Sequence, residues 1–141
     1  MAKSTDLDVI GTWKLLSCVT IDDKTGEKKS LYGENPKGYI TLLPGGRVTA
    51  LITQNDRPIP KSDRDCAEAL KSMLAYSGKY RLEDGKFITK VDIAWNEAWV
   101  GTEQERNFKI EGNRLTITAL PSPLSYDAAP ARAEIVWERE A

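Results

Sequence analysis

KYRLEDGKFITKVDIA, residues 79–94, reads as a complete β-hairpin. Asp84-Gly85 is the dipeptide favoured in a two-residue turn, because both central positions take positive φ. Lys79 to Glu83 and Lys86 to Ala94 flank it as strands. The pattern recurs in EQERNFKIEGNRLTITAL, residues 103–120. There Glu103 to Ile110 and Arg114 to Leu120 flank the turn Glu111-Gly112-Asn113. Between the two hairpins, Trp95 to Gly101 reads as an aromatic loop or bulge.

Working outward, Lys37 to Leu43 and Arg47 to Thr53 flank Pro44-Gly45-Gly46, a third hairpin. Gly11 to Asp22 opens the chain's strands. Strict alternation puts Trp13, Leu15, Ser17, Val19 and Ile21 on one face and Lys14, Leu16, Cys18 and Thr20 on the other. A turn at 23–26 leads to a weak returning strand, Glu27 to Tyr32, and Gly33-Glu34-Asn35-Pro36 is a loop. Gln54 to Lys61, with Pro58 and Pro60, is a loop as well. Ser62-x-x-Asp65 resembles a capping box before the one good helical pattern. Cys66, Leu70, Met73, Leu74 and Ser77 recur at helix spacing, which predicts a helix over about 63–76. Pro121-Ser122-Pro123 opens a long loop, and Ala133 to Arg139 is the last strand.

Eight or nine strands joined mainly by hairpins, with one short helix, predict an all-β fold. Sequential hairpins favour an antiparallel up-and-down sheet, and closure into a barrel removes its edges. A two-sheet Greek-key sandwich needs long crossovers, for which few connections suffice. The helix is expected to cap one barrel end. The 141 residues fit one domain, 1–141.

Composition excludes several function classes. Lys and Arg number 20 against 21 Asp and Glu, and no basic stripe marks a nucleic-acid or membrane partner. Histidine is absent, which removes His-based metal sites and His-based triads. No metal and no cofactor are expected. The N-terminus lacks the apolar run of a signal peptide, and no run approaches the ~18 apolar residues of a membrane span. The expected location is cytoplasmic. Cys18 and Cys66 are expected as two reduced, partly buried thiols, with a redox pair as the alternative.

Gly11-x-Trp13, Tyr32-Gly33-x-Asn35-Pro36-x-Gly38-Tyr39, Gly45-Gly46-Arg47, Trp99-Val100-Gly101-Thr102, Gln104-x-Arg106-x-Phe108 and Val136-Trp137-Glu138-Arg139 occur in that order. Together they resemble the bacterial and fungal lipocalin-like domain family, of calycin-type barrels, over about Val9 to Arg139. The resemblance implies a barrel whose floor is closed by Trp13 under a basic residue of the last strand, Arg139. Barrel closure brings the start of the first strand beside the end of the last, which also places the two together. Ordinary core packing of Trp13 beneath a solvated Arg139 is the alternative. The helix between the fourth and fifth strands, and the absence of a helix after the last, depart from the secreted lipocalins.

A barrel of about eight strands is filled by side chains or holds one small ligand near its mouth. Candidate ligand-binding residues are Tyr39, Met73, Tyr76, Tyr80, Trp95, Trp99, Arg106 and Phe108. Trp95 and Trp99 are expected either to wall a flat ligand or to seal the rim. Arg106 shares a strand face with Gln104, Phe108 and Ile110. If that face points inward, Arg106 meets an anion or pairs with Asp92 or Glu97.

Three functions follow. The first is binding of a small, largely apolar or aromatic molecule in the cavity. The second is a cofactor-independent isomerase, cyclase or lyase acting on an aromatic or polyketide-like substrate. Glu97 or Asp92 would then be the base, and Arg106 would steady developing negative charge. The third is a barrel filled by its own side chains. The expected partner is a small hydrophobic ligand; the oligomeric state stays open, a homodimer included.

Overall fold

A computed structural model describes residues 9–22, 24–119 and 131–140. Nine antiparallel strands form one sheet: β1 (Gly11–Asp22), β2 (Lys28–Ser30), β3 (Lys37–Leu42), β4 (Arg47–Thr53), β5 (Met73–Glu83), β6 (Lys86–Ala94), β7 (Glu103–Glu111), β8 (Arg114–Ala119) and β9 (Ala131–Arg139). Each strand from β3 to β9 pairs with the next, and β1 pairs with both β3 and β9. Eight strands thus close an up-and-down barrel. The short β2 is an addition, paired with the far end of β1 from Val19 to Ile21. Closure satisfies the backbone of β1 and β9, which would otherwise be open edges.

Alternation along the strands sends Ile40, Leu42, Val48, Ala50, Ile52, Phe87, Leu115, Ile117 and Trp137 into a common buried core. The core includes Val9 and Trp13 at the end where β1 begins. Trp13 is fully buried there and donates its indole N–H to the Val9 carbonyl at 2.9 Å. The β3–β4, β5–β6 and β7–β8 turns surround that closed end. The opposite end carries the β6–β7 connection and the long β4–β5 connection with its helix.

The face of β1 departs from strict alternation. A bulge between Leu15 and Ser17 inserts one residue, so Leu15 pairs with Trp137 while Ser17 pairs with Val136. The phase reverses beyond it, and Cys18, opposite Ile135, joins the core. Burial pushes the Cys18 thiol up to about 12. Cys66 is exposed, not partly buried as expected, and both thiols are free.

The helix, α1, is shorter than expected: it spans Asp63–Lys71 and stops at Ser72. Ser62 caps it, accepting from the Asp65 amide at 3.1 Å, while Asp65 accepts from the Lys61 amide at 3.0 Å. None of its residues is buried; Cys66 and Leu70 face solvent. It lies in the β4–β5 connection, directly before β5. Residues 73–76 leave the helical pattern because β4 offers them a ladder, from Thr53↔Met73 to Arg47↔Lys79. Cross-strand burial of Leu74 and Tyr76 outweighs helix spacing there. No helix among the described residues is long and apolar enough to cross a membrane. The Pro121-Ser122-Pro123 loop lies outside the described residues.

Candidate functional site

Among the described residues, the end away from Trp13 brings together β5, β6, β7 and a single 3-10 turn, Glu97–Trp99, between β6 and β7. The turn forms because the Asn96 carboxamide oxygen accepts from the Ala98 amide at 3.0 Å. It folds Trp99 inward, where the indole is buried. The Trp99 ring lies 5.1 Å from Trp95 at an interplanar angle of 64°, and 5.4 Å from Tyr76 at 41°. Such tilted contacts suit the quadrupoles of aromatic rings. The Arg106 guanidinium stands 5.8 Å from the Trp99 centroid, within cation–π range. Trp95, Trp99, Tyr76 and Arg106 thus come from three separate stretches of sequence to one place.

Arg106 is inward because β7 pairs it with Phe87, a core residue. Its Nη2 donates to the Gln104 side-chain oxygen at 2.9 Å and its Nη1 to the Glu105 carbonyl at 2.9 Å. Gln104 is itself buried and donates to the Thr102 hydroxyl at 2.7 Å. Neither expected counter-ion is there. Asp92 lies outside the barrel, held by both guanidinium nitrogens of Arg47 at 2.9 and 3.2 Å. That contact holds its carboxyl below the ordinary range. Glu97 is exposed at the start of the turn. The paired reading of Arg106 with either is therefore corrected. Asp92 follows the outward phase of β6, while Phe87, Thr89 and Val91 are buried, and Glu97 is exposed in the turn.

Burial lowers the pKa of Arg106 and raises that of Tyr76, and each partly offsets the other's shift through their mutual charge interaction. Tyr76 is thus a neutral phenol next to a cation at neutral pH.

The remaining candidates are placed elsewhere. Tyr39 is on the outer face of β3, 45% exposed, opposite Leu51. Met73 is on β5 in the outward phase of Leu51 and Thr53. Tyr80 and Phe108 are inward but deeper. Tyr80 stacks on Phe87 at 5.2 Å and sends its hydroxyl to the Leu43 carbonyl at 3.3 Å, while Phe108 meets Phe87 edge-on at 6.4 Å. At the closed end the Arg139 guanidinium lies 4.1 Å over Trp13 and donates to the Ile10 carbonyl at 2.8 Å. Sequence reasoning passed over Thr89 and Gln104. Both are polar and buried on the inner face, opposite one another on β6 and β7. Their phase with Phe87 and Arg106 was the available signal.

A model of the lipocalin-like domain matches residues 10–140. The chain is 28% identical over 86 residues to the 4'-hydroxy-3'-methoxypropiophenone carrier protein ppsC of Aspergillus oryzae, spanning 55% of this chain and 77% of that protein. Among solved structures it is similar to an uncharacterized protein from Bacteroides eggerthii, at 13% identity and a TM-score of 0.45. That match covers 93% of this chain and 98% of the other.

Proposed function

The chain belongs to the lipocalin-like domain family, and from that premise we propose that it binds a small, largely apolar aromatic molecule at the open end of its barrel. The observation that carries this reading is the convergence of Trp95, Trp99, Tyr76 and Arg106 away from the Trp13 plug. Aromatic walls supply contact area with few rotamers to freeze, and the cation and phenol orient a polar group. Each 100 Å² of apolar ligand surface removed from water contributes about 2.5 kcal/mol before association costs. The similarity to a protein named as a carrier of an aromatic ketone supports the same class of guest.

The enzymatic reading asks for a carboxylate within the site. Asp92 and Glu97, the bases it would use, stand outside it, so binding is the reading the geometry favours. The setting we infer is the cytoplasm, which the two free thiols suit.

The test is a titration with N-phenyl-1-naphthylamine, following probe and tryptophan emission together. The wild-type protein is expected to give saturable binding in the micromolar range. Trp99→Ala is expected to weaken it about tenfold or more, the equivalent of about 1.4 kcal/mol. A wild-type protein whose emission ignores this and related arenes overturns the reading.

A further inference from the structure

The charge of the site narrows the guest, on the premise that the binding reading above holds. A guanidinium keeps its proton in proteins and offers five N–H donors. Two donors of Arg106 are used among the described residues, and both acceptors are neutral: the Gln104 carboxamide and the Glu105 carbonyl. The ion pairs among the described residues join Arg47 to Asp92, Arg81 to Glu83 and Glu103, Lys86 to Glu105, and Lys109 to Glu111; none includes Arg106. Each of those cations belongs to a half-exposed or exposed pair. Arg106 instead faces inward over an indole.

The groups around it ask for the same chemistry. Tyr76, which burial keeps in its phenol form, has a hydroxyl that can donate. Thr89 is 1% exposed, and its hydroxyl has no hydrogen-bond partner among the described residues. It lies opposite Gln104, on the inner face that Arg106 shares. An unpaired inward charge and an unpaired buried hydroxyl are both costly unless something polar completes them. A neutral apolar guest completes neither.

We propose that the guest is a small aromatic anion, its ring against Trp99 and Trp95 and its negatively charged oxygen on the Arg106 guanidinium. A planar guanidinium over an indole presents its free N–H edge to a carboxylate or phenolate oxygen, and charge-assisted hydrogen bonds of this kind are about twice as strong as neutral ones.

The experiment compares two probes of one shape, 2-naphthoate and 2-naphthamide, by quenching of tryptophan emission. In the wild-type protein 2-naphthoate is expected to bind at least about tenfold tighter than 2-naphthamide. Arg106→Met is expected to bind the two equally, and Arg106→Lys to keep the preference in reduced form. Equal binding of both probes by the wild-type protein overturns the anionic guest while leaving the binding reading intact. Binding of neither overturns both. A preference that survives in Arg106→Met overturns the assignment to Arg106. If Arg106→Met does not fold, Arg106→Lys decides the assignment: a preference as large as in the wild-type protein, or larger, overturns it.

Discussion

At the scale of single residues, Gly11, Trp13 and Arg139 meet at the end where β1 begins. Gly11 has φ +133°, and a Cβ there would lie 3.1 Å from Arg139 Nη1. Glycine thus serves both a backbone conformation that L side chains rarely adopt and the space the guanidinium needs. Above it, Arg139 covers Trp13 at 4.1 Å and reaches the Ile10 carbonyl. Trp13→Ala is expected to cost about 3–5 kcal/mol in urea unfolding, through lost burial and the cavity left behind. Arg139→Ala is expected to cost about 1–2 kcal/mol, through the cation–π contact and the hydrogen bond to the Ile10 carbonyl. An Arg139→Ala protein as stable as the wild type would reduce the guanidinium to a solvated neighbour of the indole. Arg106 is the same residue type in a different role: its side chain points into the barrel and not over the floor.

At the scale of elements, bulges decide which side chains reach the interior. In β5–β6 the register shifts between Ser77 and Gly78, and the backbone of β6 closes on Gly78. A Cβ there would run into the Lys90 carbonyl oxygen and lie 2.8 Å from its carbon, and both are backbone atoms with nowhere to go. Gly78→Ala is expected to destabilise the protein by about 3 kcal/mol, the upper end for an overpacked methyl group. Gly45→Ala, where a Cβ meets nothing within 4 Å, is expected to stay within about 0.5 kcal/mol. Matched urea curves for the two variants check this, and equal midpoints would contradict it. This bulge also returns Ala94 to the partner position of Tyr76, so the chain enters the Trp95–Trp99 segment at the mouth. The β1 bulge, which sends Cys18 inward, acts in the same way. Neither bulge carries a strong sequence mark. Alternation read straight through β1 therefore puts Cys18 on the wrong face, whereas the hairpins with Asp84-Gly85 and Glu111-Gly112-Asn113 are legible because their turns demand those residues.

At the scale of the whole molecule, titration sets a plateau of stability with two edges. With no histidine, no imidazole titrates between the carboxylates and the thiols. Asp22, Asp92 and Glu103 have pKa values lowered from 3.8, 3.8 and 4.5, Asp22 by backbone N–H donors and the other two by Arg47 and Arg81. Their contribution is complete above those ordinary values and is lost as pH falls through the depressed ones. Cys18, raised from 9.0 to about 12, contributes in the opposite sense: its share is complete below 9.0 and is lost as pH rises toward 12. Tyr76, raised from 10.0 by burial, steepens the alkaline edge. Urea midpoints are expected to stay flat from about pH 5 to pH 9 and to fall on both sides, with Cys18→Ala softening only the alkaline fall. A midpoint that changes between pH 6 and pH 8 would contradict this. The sequence by itself determined most of the strands and their hairpin order, because turn chemistry and period-2 burial act over a few neighbouring residues, whereas closure is the long-range pairing of β1 with β9. The end of the helix, the phase beyond each bulge and the meeting of Tyr76, Trp99 and Arg106 belong to the tertiary structure alone. Each depends on which strand lies alongside, and cross-strand pairing outweighs local preference wherever the two disagree.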